Sequence, residues 1–274
     1  MTDVNRRVLP GFSLSLGYTM LYMSLLILVP LGAGFLKASH LSFAEFWAAV
    51  SSERAVAAYM LTVGASFVSA VVNALLGLLL AWVLVRYDFP LKRLLDSLVD
   101  LPFALPTAVA GLVYSDLFVA RGWYGRFLVP LGIEGAYSRL GIVLVLIFIG
   151  FPFVVRTLQP VLEGLERDVE EAAACLGASR LQTFRRVIFP AITPALITGF
   201  ALAFARSLGE YGSVVFISGN MPFRTEIAPV LVVNRLEEFA YAEATAIAVV
   251  LLLMSFVTLF TINLLERWSS RRYV

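Results

Sequence analysis

The sequence predicts an all-α integral membrane protein with six transmembrane helices and both termini on the cytoplasmic side. Of its 274 residues, 60% are hydrophobic and 15% charged, whereas soluble domains carry about 25% charged residues. The mean hydropathy is +0.87. Charges are clustered, leaving apolar windows near or above the roughly 20 residues that a helix needs to cross a bilayer once their flanks are added. This balance excludes an ordinary soluble enzyme. With 21 basic and 19 acidic residues the net charge is +2, so no cationic surplus points to nucleic acid. A single cysteine, Cys175, forms no internal disulfide, and a single histidine, His40, builds neither a histidine metal site nor a redundant catalytic dyad.

The first window, 8–36, follows Arg6 and Arg7. It is far longer than the roughly 7–15 residue apolar region of a cleavable signal peptide, so it is read as a retained span with the two arginines as its cytoplasmic anchor. The connection 37–54 holds Phe43, Phe46, Trp47 and Val50, which suits a short helix, either in the membrane interface or packed as an ordinary loop helix. In the second window, 55–85, a face of Gly64, Ser66, Ser69, Ala70, Asn73, Ala74 and Gly77 suits close helix contact. The third, 98–120, is interrupted by Asp100 and Asp116, which the ends of a tilted helix hold at headgroup level. Windows 140–155, 187–205 and 244–265 complete the six.

Orientation follows from the basic residues. A cytoplasmic amino terminus places Arg6, Arg7, Arg86, Lys92, Arg93, Arg156, Arg167, Arg180, Arg185, Arg186, Arg267, Arg271 and Arg272 inside, 13 in all. Lys37, Arg54, Arg121, Arg126, Arg139, Arg224 and Arg235, 7 in all, then fall outside. Arg206 is left within a span.

The inner connection 163–189 is the most unusual segment. Residues 167–176 read R-D-V-E-E-A-A-A-C-L, with acids where a helix begins and alanines after them. Gly177 suits the left-handed position that ends a helix. Ser179 and Gln182 form a capping box for a second short helix, with Leu181, Phe184, Val187 and Ile188 on one face, and Pro190 leads into the next span.

Glu171-Ala172-Ala173, three residues, Gly177, nine residues, then Val187-Ile188-Phe189-Pro190 resembles the EAA loop of ABC-transporter permeases, E-A-A-x3-G-x9-I-x-L-P. Val187 for Ile and Phe189 for Leu are apolar departures. Further segments extend the resemblance over essentially the whole chain: Arg7-Val8-Leu9-Pro10-Gly11-Phe12, Asp100-Leu101-Pro102-Phe103-Ala104-Leu105-Pro106-Thr107, Pro152-Phe153-Val154-Val155-Arg156-Thr157 and Arg206-Ser207-Leu208-Gly209-Glu210-Tyr211-Gly212. These are similar to T-type permeases of bacterial sulfate/thiosulfate ABC importers.

The resemblance implies one membrane half of a type I importer in the bacterial inner membrane. Its partners would be a second permease of the W-type paralogue in a heterodimer, two ATPase subunits that bind ATP and Mg, and a periplasmic sulfate- or thiosulfate-binding protein. No cofactor is implied in this chain and no nucleic-acid partner. Glu171, Ala172, Ala173, Gly177 and Pro190 would belong to the coupling element that docks on the ATPase. The implied division is 1–54 for the first span and outer connection, 55–266 for the permease core, and 267–274 for a cytoplasmic tail.

Within the membrane, Pro102 and Pro106 each remove a backbone donor, and with Asp100, Thr107 and Gly111 they suit either the inner part of a translocation path or a packing kink. Arg206 and Glu210 are spaced to pair on one helix face, either as a transient oxyanion contact or gate brace, or as a permanent structural bridge. A passage must release its dianion, so tight selection belongs to a binding protein. An intramembrane enzyme lacks a paired nucleophile and base: His40 lies outside the windows, and Asp100 and Asp116 are 16 residues apart. A stand-alone channel leaves 163–189 without purpose. No G-x-x-x-x-G-K-[ST] loop is present, so the chain is not itself an ATPase of that type. The competing substrate is molybdate or tungstate, also a tetrahedral dianion.

Overall fold

A computed structural model describes residues 12–270. Among these the chain is helical, with no strand. Helix α1 runs Phe12–Ala38 with one wide π turn at Ser24–Leu28. Helix α2, Phe43–Val50, is opened by a Ser42–Glu45 capping box. Ser52 caps α3, Glu53–Arg86, by accepting from the Ala55 amide. Three short helices follow: α4 (Lys92–Val99), α5 (Leu101–Ala104) and α6 (Thr107–Phe118). After α7 (Gly125–Leu128), Ser138 caps α8, Arg139–Glu163. Then come α9 (Arg167–Cys175), α10 (Arg180–Leu208), α11 (Val214–Ile217), α12 (Ala228–Glu237) and α13 (Tyr241–Ser270).

Five of these, α1, α3, α8, α10 and the Tyr241–Leu264 part of α13, are long and apolar enough to cross a membrane. They coincide with five of the six apolar windows. Arg6, Arg7, Arg271 and Arg272, on which part of the orientation rests, lie outside the described residues.

The third window departs from the expected single span. Leu105 precedes Pro106 and is held extended, with φ −87° and ψ 134°, because the proline ring disfavours helical backbone in the residue before it. The helix therefore ends at Ala104 and restarts at Thr107, leaving α6 with 12 residues. Such a helix rises only about 18 Å, short of the roughly 30 Å hydrocarbon core.

The second correction concerns the connection after α8. The helix opened by Ser179 is not separate from the following span but its first two turns, since α10 is continuous from Arg180 to Leu208. A π turn, Phe184–Ile188, makes this possible: the Phe189 amide donates to the Phe184 carbonyl, five residues back. The wide turn lies immediately before Pro190, which has no amide to continue the α ladder.

The core is the contact of α3, α8 and α10, where Ala70, Ala81, Val154, Leu158, Ile192 and Phe204 are buried. Glycines permit the approach. A Cβ added at Gly77 would lie 2.7 Å from Val154 Cγ1, and one at Gly150 2.5 Å from Asn73 Nδ2. Of the small-residue face expected on the second span, Ser66, Ser69, Ala70, Asn73 and Gly77 are buried here, while Gly64 is exposed. Helix α1, in contrast, buries only Ala38 and lies against α13 at the periphery.

Candidate functional site

Four groupings of polar side chains distinguish this bundle from an apolar packing of helices. The first is the short connection between α8 and α10. Acids at Asp168 and Glu170 open α9, where they complement the positive end of the helix. Gly177, at φ +82°, closes it in the left-handed region, and its amide donates to the Ala174 carbonyl at 2.9 Å. Gln182 returns a bond to the Ser179 amide at 2.8 Å, completing the second cap. The two caps hold a helix–glycine–helix corner whose outer surface is bare: Glu171, Ala172 and Gly177 are exposed, and Leu176 is 89% exposed. Ala173 and Pro190 are partly covered. The corner thus presents an exposed leucine beside small residues and a carboxylate.

The second grouping joins α6 to the chain after α10. Glu210 lies just past the end of α10 rather than on it, because that helix stops at Leu208. Its carboxylate is 2% exposed. One oxygen accepts from the Ser213 amide and hydroxyl, both at 2.9 Å; the other meets Arg206 at 2.6 Å. The carboxylate is thereby fully engaged, while the Arg206 side chain remains 35% exposed. Thr107 and Gly111, one turn apart on α6, face the same segment. A Cβ at Gly111 would lie 2.2 Å from the Ser213 carbonyl oxygen, and one at Gly212 2.3 Å from Thr107 Oγ1. Ser115 completes the stripe by donating to the Phe216 carbonyl at 2.9 Å.

The third grouping gathers Asp100 into a network that sequence spacing does not reveal. Arg156, on α8, uses all five of its donors. Nε and Nη2 reach the two Asp100 oxygens at 2.8 and 2.7 Å. Nη1 reaches Asp96 Oδ1 at 2.7 Å and Gln159 Oε1 at 2.6 Å, and Nη2 also reaches the Asp96 carbonyl at 2.8 Å. The Gln159 amide donates to Asp96 Oδ1 at 2.9 Å. The Gln159 bond, reinforced by the Arg156 guanidinium, holds the Asp96 carboxyl below its ordinary pKa. Pro102 sits one residue into α5 beside this clamp, and Phe103 packs edge-on against Phe153 at 5.2 Å.

The residues predicted for a translocation path thus divide. Thr107 lies against Gly212, two residues past the Arg206–Glu210 pair; Asp100 is held in the Arg156 clamp, with Pro102 two residues on; and Pro106 marks the break between the two. The sequence reading missed Arg156, Asp96 and Gln159, as well as the fourth grouping, at the opposite end of α3. There Arg54 makes a two-pronged contact with the buried Glu226, both bonds at 2.7 Å, and Asn234 donates to the same carboxylate at 2.8 Å.

A model of the family "Binding-protein-dependent transport system inner membrane component" matches residues 73–274. The "Sulfate transport system permease protein CysT" of Salmonella typhimurium is 51% identical over 270 residues, covering 98% of each chain. Its namesake in Escherichia coli is 48% identical over the same length and coverage. That of Synechococcus elongatus is 51% identical over 263 residues, covering 96% of this chain and 95% of its own. Among solved structures, a bacterial ABC transporter involved in alginate import shares the fold at a TM-score of 0.75 and 18% identity, covering 93% of this chain and 94% of that one.

Proposed function

Since the chain belongs to the binding-protein-dependent transport system inner membrane component family, we propose that it is the sulfate-transporting permease subunit of an ATP-driven importer, a multi-pass inner-membrane protein that is not itself a catalyst. The substrate rests on near-full-length identity to sulfate permeases. The observation that carries the coupling role is the bare corner at α9 and Gly177: a rigid, doubly capped element whose outer face no part of the described chain covers. Glu171, Ala172, Ala173, Gly177 and Pro190 form this corner and its exit. ATPase subunits holding ATP and Mg would dock there from the cytoplasm, with both termini on that same side. A second permease of the W type would complete the passage, and a periplasmic sulfate- or thiosulfate-binding protein would deliver the anion.

In that frame the Thr107, Arg206 and Glu210 grouping lies along the path. Glu210 is saturated, so Arg206 approaches an oxyanion as part of a neutral pair. Such a contact is weak, and weakness is what release of a dianion requires.

The test is uptake of labelled sulfate by vesicles that contain the assembled transporter, with the permease carrying Gly177→Trp or Glu171→Lys. Both variants should insert normally and lose ATP-driven uptake. Wild-type uptake in both would remove the corner from the coupling role. Stimulation of ATP hydrolysis by a molybdate-loaded binding protein, and not by a sulfate-loaded one, would overturn the substrate.

A further inference from the structure

The corner is tied to the bundle by more than its chain connections. Arg86, in the last turn of α3, forms an ion pair with Glu170 of α9. The arginine side chain is 13% exposed and the glutamate 30%. One turn earlier on the same face of α3, Trp82 lies under the Arg86 guanidinium at 5.3 Å and meets Phe184 edge-on at 5.9 Å. Phe184 opens the π turn of α10 and also touches Phe189 at 6.0 Å. Both sides of the Gly177 corner are therefore fastened to one patch of α3, α9 through charge and α10 through an aromatic contact.

We propose that Arg86 is a positioning residue for energy coupling: by holding Glu170 it makes α3 move with α9, so that displacement of the corner by an ATPase subunit reaches α3 directly. The proposal rests on the reading of that corner as the ATPase docking element. Three physical points support it. The pair is mostly shielded, so it is stronger than a surface ion pair. Arg86 Nε is buried without a partner, and a buried donor left so is costly. A carboxylate sliding along the guanidinium edge would meet that donor, so the pair can survive a shift of α9. Finally, α3 packs more extensively on α8 than any other two helices pack together, and next most closely on α10. Whatever moves α3 moves the core.

The experiment uses the complete transporter in proteoliposomes, with the permease as wild type, Arg86→Gln, Glu170→Gln, the exchanged pair Arg86→Glu with Glu170→Arg, and Gly177→Trp as reference. Sulfate taken up per ATP hydrolysed is measured, together with the amount of ATPase subunit that copurifies. Arg86→Gln and Glu170→Gln should retain the ATPase subunits yet lower uptake per ATP by about 5-fold or more, the low end of coupling between sites, and the exchanged pair should restore much of it. Unchanged uptake per ATP in both single variants, or no restoration by the exchange, overturns the proposal. Loss of the ATPase subunits from the single variants also overturns it, because the pair would then serve assembly. The Gly177→Trp reference separates the two readings: if that variant transports normally, the docking assignment itself fails.

Discussion

At the scale of single residues, the Arg156 clamp gives Asp100 a partner that sequence spacing does not reveal. Asp100 is close in sequence to Pro102 and Thr107, and all three suit a polar path. Its actual partner is 56 residues away on α8, and no local pattern predicts that. The clamp also makes a clean test of chemistry. A lysine at 156 keeps the charge but offers three donors from one point, whereas Arg156 fills five positions in a planar fork. Arg156→Lys should therefore destabilise the permease, by about 1 kcal/mol given the partial exposure of all three charged groups, read from its unfolding midpoint in detergent. An unchanged midpoint would show that the fork contributes nothing beyond its charge. The pH dependence has a definite sign. The Asp96 carboxyl sits below its ordinary value of 3.8, so its contribution is fully present above that value and is lost as pH falls through the lower folded one.

Among the helices, most of what hydropathy displays is found, and the failures have local causes. Five windows became spans because a charge-free run of such length has no other way to satisfy its backbone in lipid. The Ser179 and Gln182 cap was legible because both partners lie within one turn. The break at Leu105 goes further than the kink that Pro102 and Pro106 suggest, because hydropathy averages across a proline, although the preference of the preceding residue is itself a sequence signal. Likewise, Arg206 and Glu210 have helical spacing, but the helix ends between them, and Glu210 is held by Ser213 in the following bend. The seam between α6 and that bend depends on glycine. Gly111→Val would drive a Cβ to within 2.2 Å of the Ser213 carbonyl oxygen, a backbone atom that cannot rotate away. Overpacking of this kind costs about 1–3 kcal/mol, so the variant should lower the unfolding midpoint more than Val109→Ala does at an exposed position of the same helix. Equal effects would mean that the seam yields.

For the whole molecule, the balance of 60% apolar and 15% charged residues requires a membrane but leaves open which end of the bundle faces which compartment. The structure separates the two ends: α3 begins at the Arg54–Glu226 pair and finishes at the Arg86–Glu170 pair. Orientation thus reduces to placing α9 on one side of the membrane. The chain carries its own probe for this. Cys175 is the single cysteine, it closes α9, and it is exposed. With basic residues 13 to 7 in favour of that end, a membrane-impermeant maleimide should leave Cys175 unlabelled in intact spheroplasts and label it in inside-out vesicles. Labelling should also fall when ATPase subunits are bound, because the partner would cover the face that carries Leu176. Labelling from the outside would invert the topology and remove the ATPase from this surface. Inside labelling that bound ATPase subunits do not alter would keep the topology and move their footprint off the end of α9.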